Sequence, residues 1–187
     1  MAAYDAFRES SVFQSVAHTS DGAAVTRDGL PADLAAIYDA LDPGAYGDGL
    51  FWLGDPTLMN ETFGPWMNPR PGVSMLPFGR SAFGDVFYVA FTDTVPPSPG
   101  VLDVHYKTMR PAYATSLADF FDRVLLTDSY RAEELRELRF RQARDSLGDL
   151  EAGECYHFVP ALALGGSEDG ELAKGDWAVH LELLRQL

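Results

Sequence analysis

The sequence predicts an α+β protein: an antiparallel sheet flanked by helices, with a helical and short-strand N-terminal part docked on it. Three observations carry the prediction. Between Val73 and Tyr113, short runs of aromatic and β-branched residues alternate with Gly- and Pro-bearing breaks, the pattern of an antiparallel meander. From Ser116 onward the apolar spacing becomes mainly that of helices. Before Asn68, helical spacing surrounds one short apolar run, Leu50 to Leu53.

Taken in order, Ala3 to His18 places Phe7, Val12, Phe13 and Val16 at imperfect helical spacing, interrupted by Ser10-Ser11, and Thr19 to Gly22 reads as a turn. Pro31 to Leu41 is a clear helix, with Pro in its first turn, Asp33 near its positive end, and Leu34, Ile37, Tyr38 and Leu41 on one face. Asp42-Pro43-Gly44 ends it. Leu50 to Leu53 is a short buried strand, and Pro56 to Trp66 reads as helical. Asn68 to Gly72 is the Pro-rich break that divides the chain into residues 1–70 and 71–187. The first part carries Phe51, Trp52, Leu53 and Trp66, more apolar area than so short a piece can bury alone, so it is expected to dock on the sheet.

Strands are expected over Val73–Phe78, Asp85–Phe91, Val101–Tyr106 and Thr108–Tyr113. Their separators are Gly79-Arg80-Ser81, Thr94 to Gly100, and a tight turn near Lys107. Ser116 then caps a helix whose stripe is Leu117, Phe120, Phe121 and Val124. Tyr130 to Leu147 reads as one further helix, acidic early and arginine-rich late, stopped by Gly148. Gly153 to Glu168 is a buried segment, anchored by Phe158, Val159, Leu162 and Leu164 and turning out at Gly165-Gly166. Trp177 to Leu187 closes the chain as a helix, with Trp177, Leu181 and Leu184 on its apolar face.

Charge narrows the functional classes. The 187 residues include 28 acidic and 14 basic side chains, a formal net charge of -14. A direct grip on the phosphate backbone of nucleic acid is disfavoured. Up to Pro69, ten acidic residues face two basic ones, a local charge of -8, and such a lobe can attract a basic partner. The single Cys155 fits a reducing cytoplasm. Met1 to Arg8 lacks the basic start and apolar core of a signal peptide, and no apolar run approaches the ~20 residues that cross a bilayer. Neither export nor membrane insertion is expected.

Catalytic and metal signals are thin. Cys155 and His157 share a strand face and suggest a thiolate–imidazole pair, but no orienting third group accompanies them; a small cysteine and a core or turn histidine explain them better. Asp103 and His105 fall on one strand face, yet His18, His105, His157 and His180 are scattered and no metal-ligand spacing occurs. No cofactor is implied. Gly79 to Gly84 lacks the P-loop pattern and reads as a hairpin turn. Arg131, Arg136, Arg139, Arg141 and Arg144 are interleaved with Glu133, Glu134, Glu137 and Asp145, as on a solvated, salt-bridged helix. Phe51, Trp52, Trp66, Phe83, Phe87 and Tyr88 are mostly core. The residues offered for partner binding are Asp42, Asp48 and Asp55, which flank turns, Tyr46 as an exposed aromatic between glycines, and Glu168 and Asp169 after the Gly-Gly turn.

Leu76 to Val89 resembles the strand pair that opens the C-terminal domain of type VI secretion immunity proteins, and Gly153 to Glu168 resembles that domain's closing motif. Ala45 to Pro56 is similar to the centre of the GAD-like region that precedes it. The three motifs stand in the expected order over about Leu30 to Leu187. The resemblance implies an immunity protein that binds and neutralises a toxin such as a nuclease; with the cysteine and charge readings, a cytoplasmic protein acting by stoichiometric binding on a basic partner, without enzymatic activity, is expected. The competing readings are a small hydrolase using Cys155 and His157, and an intracellular interaction or regulatory scaffold.

Overall fold

The computed structural model describes residues 2–16, 25 and 27–187. Among them, six strands form one antiparallel sheet in chain order: β1 (Gly44–Tyr46), β2 (Phe51–Leu53), β3 (Ser74–Ser81), β4 (Val86–Phe91), β5 (Ser98–Asp103) and β6 (Thr108–Pro111). Every strand pairs with its sequence neighbour, so the sheet is the expected meander, lengthened by the two N-terminal strands. A separate hairpin joins β7 (Glu154–Val159) to β8 (Glu171–Asp176).

Alternation along β4 shows how the sheet is enclosed. Phe87 and Val89 enter a core with Phe51, Phe78, Phe120 and Phe121, while Val86 and Tyr88 enter a second core with Met59, Phe63, Leu102 and Leu181. The first core also takes in α1 (Asp5–Arg8), α2 (Ala32–Ala40) and α4 (Leu117–Asp119), which runs on as a π-helical turn over Phe120–Val124. The second is closed by α3 (Pro56–Phe63) and α7 (Trp177–Gln186). Close approach sets the small residues of the sheet. A Cβ on Gly79 would lie 2.7 Å from the Trp52 carbonyl oxygen, and one on Gly100 would lie 2.4 Å from the Tyr88 ring.

The cap expected at Ser116 is present, and Asp55 and Asp176 cap two further helices. Ser116 accepts the Asp119 amide, Asp55 accepts those of Thr57 and Leu58, and Asp176 accepts that of Val179. The stripe Leu117, Phe120, Phe121 and Val124 is buried as expected.

Several expectations are corrected. The helix expected over Ala3 to His18 shrinks to α1, because the Ser10 hydroxyl accepts the Val12 and Phe13 amides and turns the chain. Its last two residues and the Thr19–Gly22 turn lie outside the described residues. Gly79-Arg80-Ser81 is strand rather than turn, since β3 runs on to pair with β2, and the chain turns at Ala82 to Asp85 instead. Tyr130 to Leu147 is two helices, α5 (Asp128–Glu133) and α6 (Glu137–Leu147), broken at Arg136, whose φ is +52°. β5 starts at Ser98 and stops at Asp103, leaving His105 in a turn. In the Gly153–Glu168 segment Phe158 is buried, but Val159 and Leu164 are exposed. β1 and β8 carry too little periodicity to be read from sequence.

Candidate functional site

Arg136 stands at the centre of the charged architecture. Its left-handed backbone breaks the helix and sends the guanidinium inward, where it is 7 % exposed. It donates to Asp85 on the β3–β4 turn at 2.6 Å, to Asp103 at the end of β5 at 3.2 Å, and to Glu168 in the β7–β8 loop at 3.4 Å. Burial opposes its charge, but Asp85, Asp103 and Glu168 outweigh that and hold its pKa above the ordinary value. Arg110 adds ion pairs to Glu134 and, at 3.8 Å, to Asp103. The arginines therefore divide: Arg136 and Arg131 are buried, and Arg141 is exposed. The expectation of one solvated helix is corrected for the first two.

This junction carries an exposed knuckle. Tyr106, 55 % exposed, donates its hydroxyl to Glu168 at 3.3 Å, and the Asp103 carboxylate accepts the amides of His105 and Tyr106. Glu168 and Asp169 are exposed as expected. The signal for Tyr106 was present only as an aromatic beside a turn.

The N-terminal acidic residues behave differently. Asp42 and Asp48 are exposed, but Asp48 pairs with Arg144 at 2.6 Å. Asp55 is half-buried as the cap of α3. Tyr46, expected to be an exposed anchor, is 5 % exposed: its strand joins the sheet edge, its ring packs on Phe7, and its hydroxyl donates to the Asp42 carbonyl. Burial pushes its pKa up to about 12.

Cys155 and His157 do share a face of β7. Burial pushes the Cys155 thiol up to about 12, so it is protonated at neutral pH. The His157 ring stacks on His180 with centroids 4.5 Å apart. Burial lowers the pKa of both imidazoles, to about 4 for His180. The His105 ring donates from Nε2 to the Phe83 carbonyl instead of facing a metal. Among the described residues no group of three His, Cys, Asp or Glu side chains is placed to hold one. No helix among the described residues is long and apolar enough to cross a membrane.

With this architecture, the chain is an α+β protein built on a six-stranded antiparallel sheet and a separate two-stranded hairpin. Residues 114–187 match the family model described as T6SS immunity protein Tdi1, C-terminal, and this part of the chain is similar to that domain. The crystal structure of Atu4351 from Agrobacterium tumefaciens is similar with a TM-score of 0.60 at 16% sequence identity, over 93% of this chain and 85% of that one, a likeness of fold. The sequence matches no curated protein.

Proposed function

We propose that this protein is a cytoplasmic immunity protein that binds a cognate toxin, a nuclease effector with a basic surface, and neutralises it by stoichiometric occlusion without chemistry of its own. The observation that carries this reading is the match of residues 114–187 to the family model described as T6SS immunity protein Tdi1, C-terminal. The net charge of -14 supports a basic partner, because opposite charge raises the encounter rate and a nuclease cleft shaped for phosphate also accepts carboxylates. Asp42, Asp48, Glu168 and Asp169 offer such carboxylates at the surface. The GAD-like part, residues 1–70, is proposed to act with residues 71–187 as one body.

The test is to express the product of the adjoining gene, assay it for nuclease activity, and titrate it with this protein. Activity is expected to fall linearly to an end point at one equivalent, with a complex of matching stoichiometry on gel filtration. Inhibition far below one equivalent, or no complex, would overturn the reading.

A further inference from the structure

Of the N-terminal residues offered for partner binding, Asp48 pairs with Arg144, Asp55 caps a helix and Tyr46 lies in the core, while Asp42 stays exposed. The knuckle beside Arg136 combines an exposed aromatic ring with carboxylates. Tyr106 and Leu164 are 55 % and 62 % exposed, and Leu164 shortly precedes Glu168, the acceptor of the Tyr106 hydroxyl. Among the described residues, Glu168 makes its contacts through Oε1, and neither its Oε2 nor the Asp169 side chain has a partner.

The loop carrying these groups is held in place. Gly166 donates to the Ala161 carbonyl at 3.1 Å, Gly170 to the Ser167 carbonyl at 2.9 Å, Arg139 donates to the Gly170 carbonyl, and Arg136 ties Glu168 to the buried junction. A surface fixed before binding loses little entropy on docking. An exposed tyrosine hydrogen-bonded to a carboxylate, with an exposed leucine in the same loop as that carboxylate, has the composition of an interface hot spot for a cationic partner.

We propose that Tyr106, Leu164, Glu168 and Asp169 form the docking surface for a lysine- or arginine-bearing segment of a protein partner. The ring and the leucine supply desolvated contact, and the carboxylates pair with the cations. The identity of that partner as the toxin rests on the immunity reading above.

The experiment measures binding of the catalytically inactivated toxin encoded by the adjoining gene to Tyr106→Ala, Leu164→Asp and Asp169→Lys, with Glu61→Gln on the exposed side of α3 as the control. Thermal melts verify that each variant is folded. Tyr106→Ala and Leu164→Asp are expected to weaken binding at least about tenfold, mainly through faster dissociation. Asp169→Lys is expected to slow association and flatten its salt dependence, and Glu61→Gln to stay within about twofold. Wild-type binding with all three variants unchanged would overturn the surface and leave the immunity reading standing. No binding by the wild type would overturn both.

Discussion

Among single residues, Arg136 and Cys155 carry the clearest consequences. Removing the guanidinium leaves Asp85 and Asp103, each 2 % exposed, without their principal cation. Arg136→Met is therefore expected to cost about 3 to 5 kcal/mol, a large share of a typical domain's stability, read as a lower urea midpoint. A loss under about 1 kcal/mol would contradict this role for the guanidinium. Cys155→Ala combined with His157→Ala is expected to keep toxin neutralisation while costing roughly 1 to 3 kcal/mol of packing. Lost neutralisation by a double variant with native circular dichroism would revive the hydrolase. Nothing in the spacing of Arg131 to Arg144 distinguishes Arg136 from its neighbours, because what sets it apart is the positive φ and three carboxylates brought from distant parts of the chain.

Among the elements, α7 shows both what a pattern discloses and what it hides. Leu181 and Leu184 are buried at the expected spacing, with Trp177 half-buried. His180, on the same helix, meets His157 of β7, and the His105 ring lies 6.2 Å from it. The folded state holds these imidazoles below their ordinary pKa of 6.5, so it binds fewer protons than the unfolded chain. Their contribution to stability is full above pH 6.5 and is lost as pH falls toward about 4. The lowered carboxylates Asp119 and Glu182 act below that window, since their contribution is lost only beneath the ordinary carboxylate range. Urea midpoints are expected to fall between pH 6.5 and 4, with a flatter profile for His180→Gln. An identical profile for that variant would remove the histidine pair as the cause.

Across the whole molecule, the N-terminal part is built into the sheet. β2 lies between β1 and β3, pairing Phe51 with Ser81 and Trp52 with Arg80. Arg80 is 4 % exposed, lies 4.5 Å from the Trp52 ring and 5.6 Å from that of Trp177, and donates to the Ala152 carbonyl at 2.9 Å. Burial lowers its pKa to about 10. Asp122 closes another long-range link by accepting the amides of Tyr4 and Phe7. The intact chain is accordingly expected to unfold in one calorimetric transition, and residues 1–70 alone to be insoluble or molten, because each stranded aromatic exposes about 150 to 250 Å². Two separated transitions, or a soluble fragment with dispersed amide signals, would show independent units.

Local pattern was enough to establish the α+β class, the meander, the helix stripes and the Ser116 cap, and the exposure of Asp42, Asp48, Glu168 and Asp169. These follow from periodicity and short-range hydrogen bonding, which neighbours in the chain suffice to express. Folding in three dimensions was needed to put Tyr46 in the core, to draw Gly79 to Ser81 into a strand, to join three distant parts of the chain through one arginine of five, and to stand Tyr106 beside Glu168. Each of these depends on residues far apart in sequence meeting in space. Burial and charge pairing are properties of that meeting, and a linear pattern does not contain them.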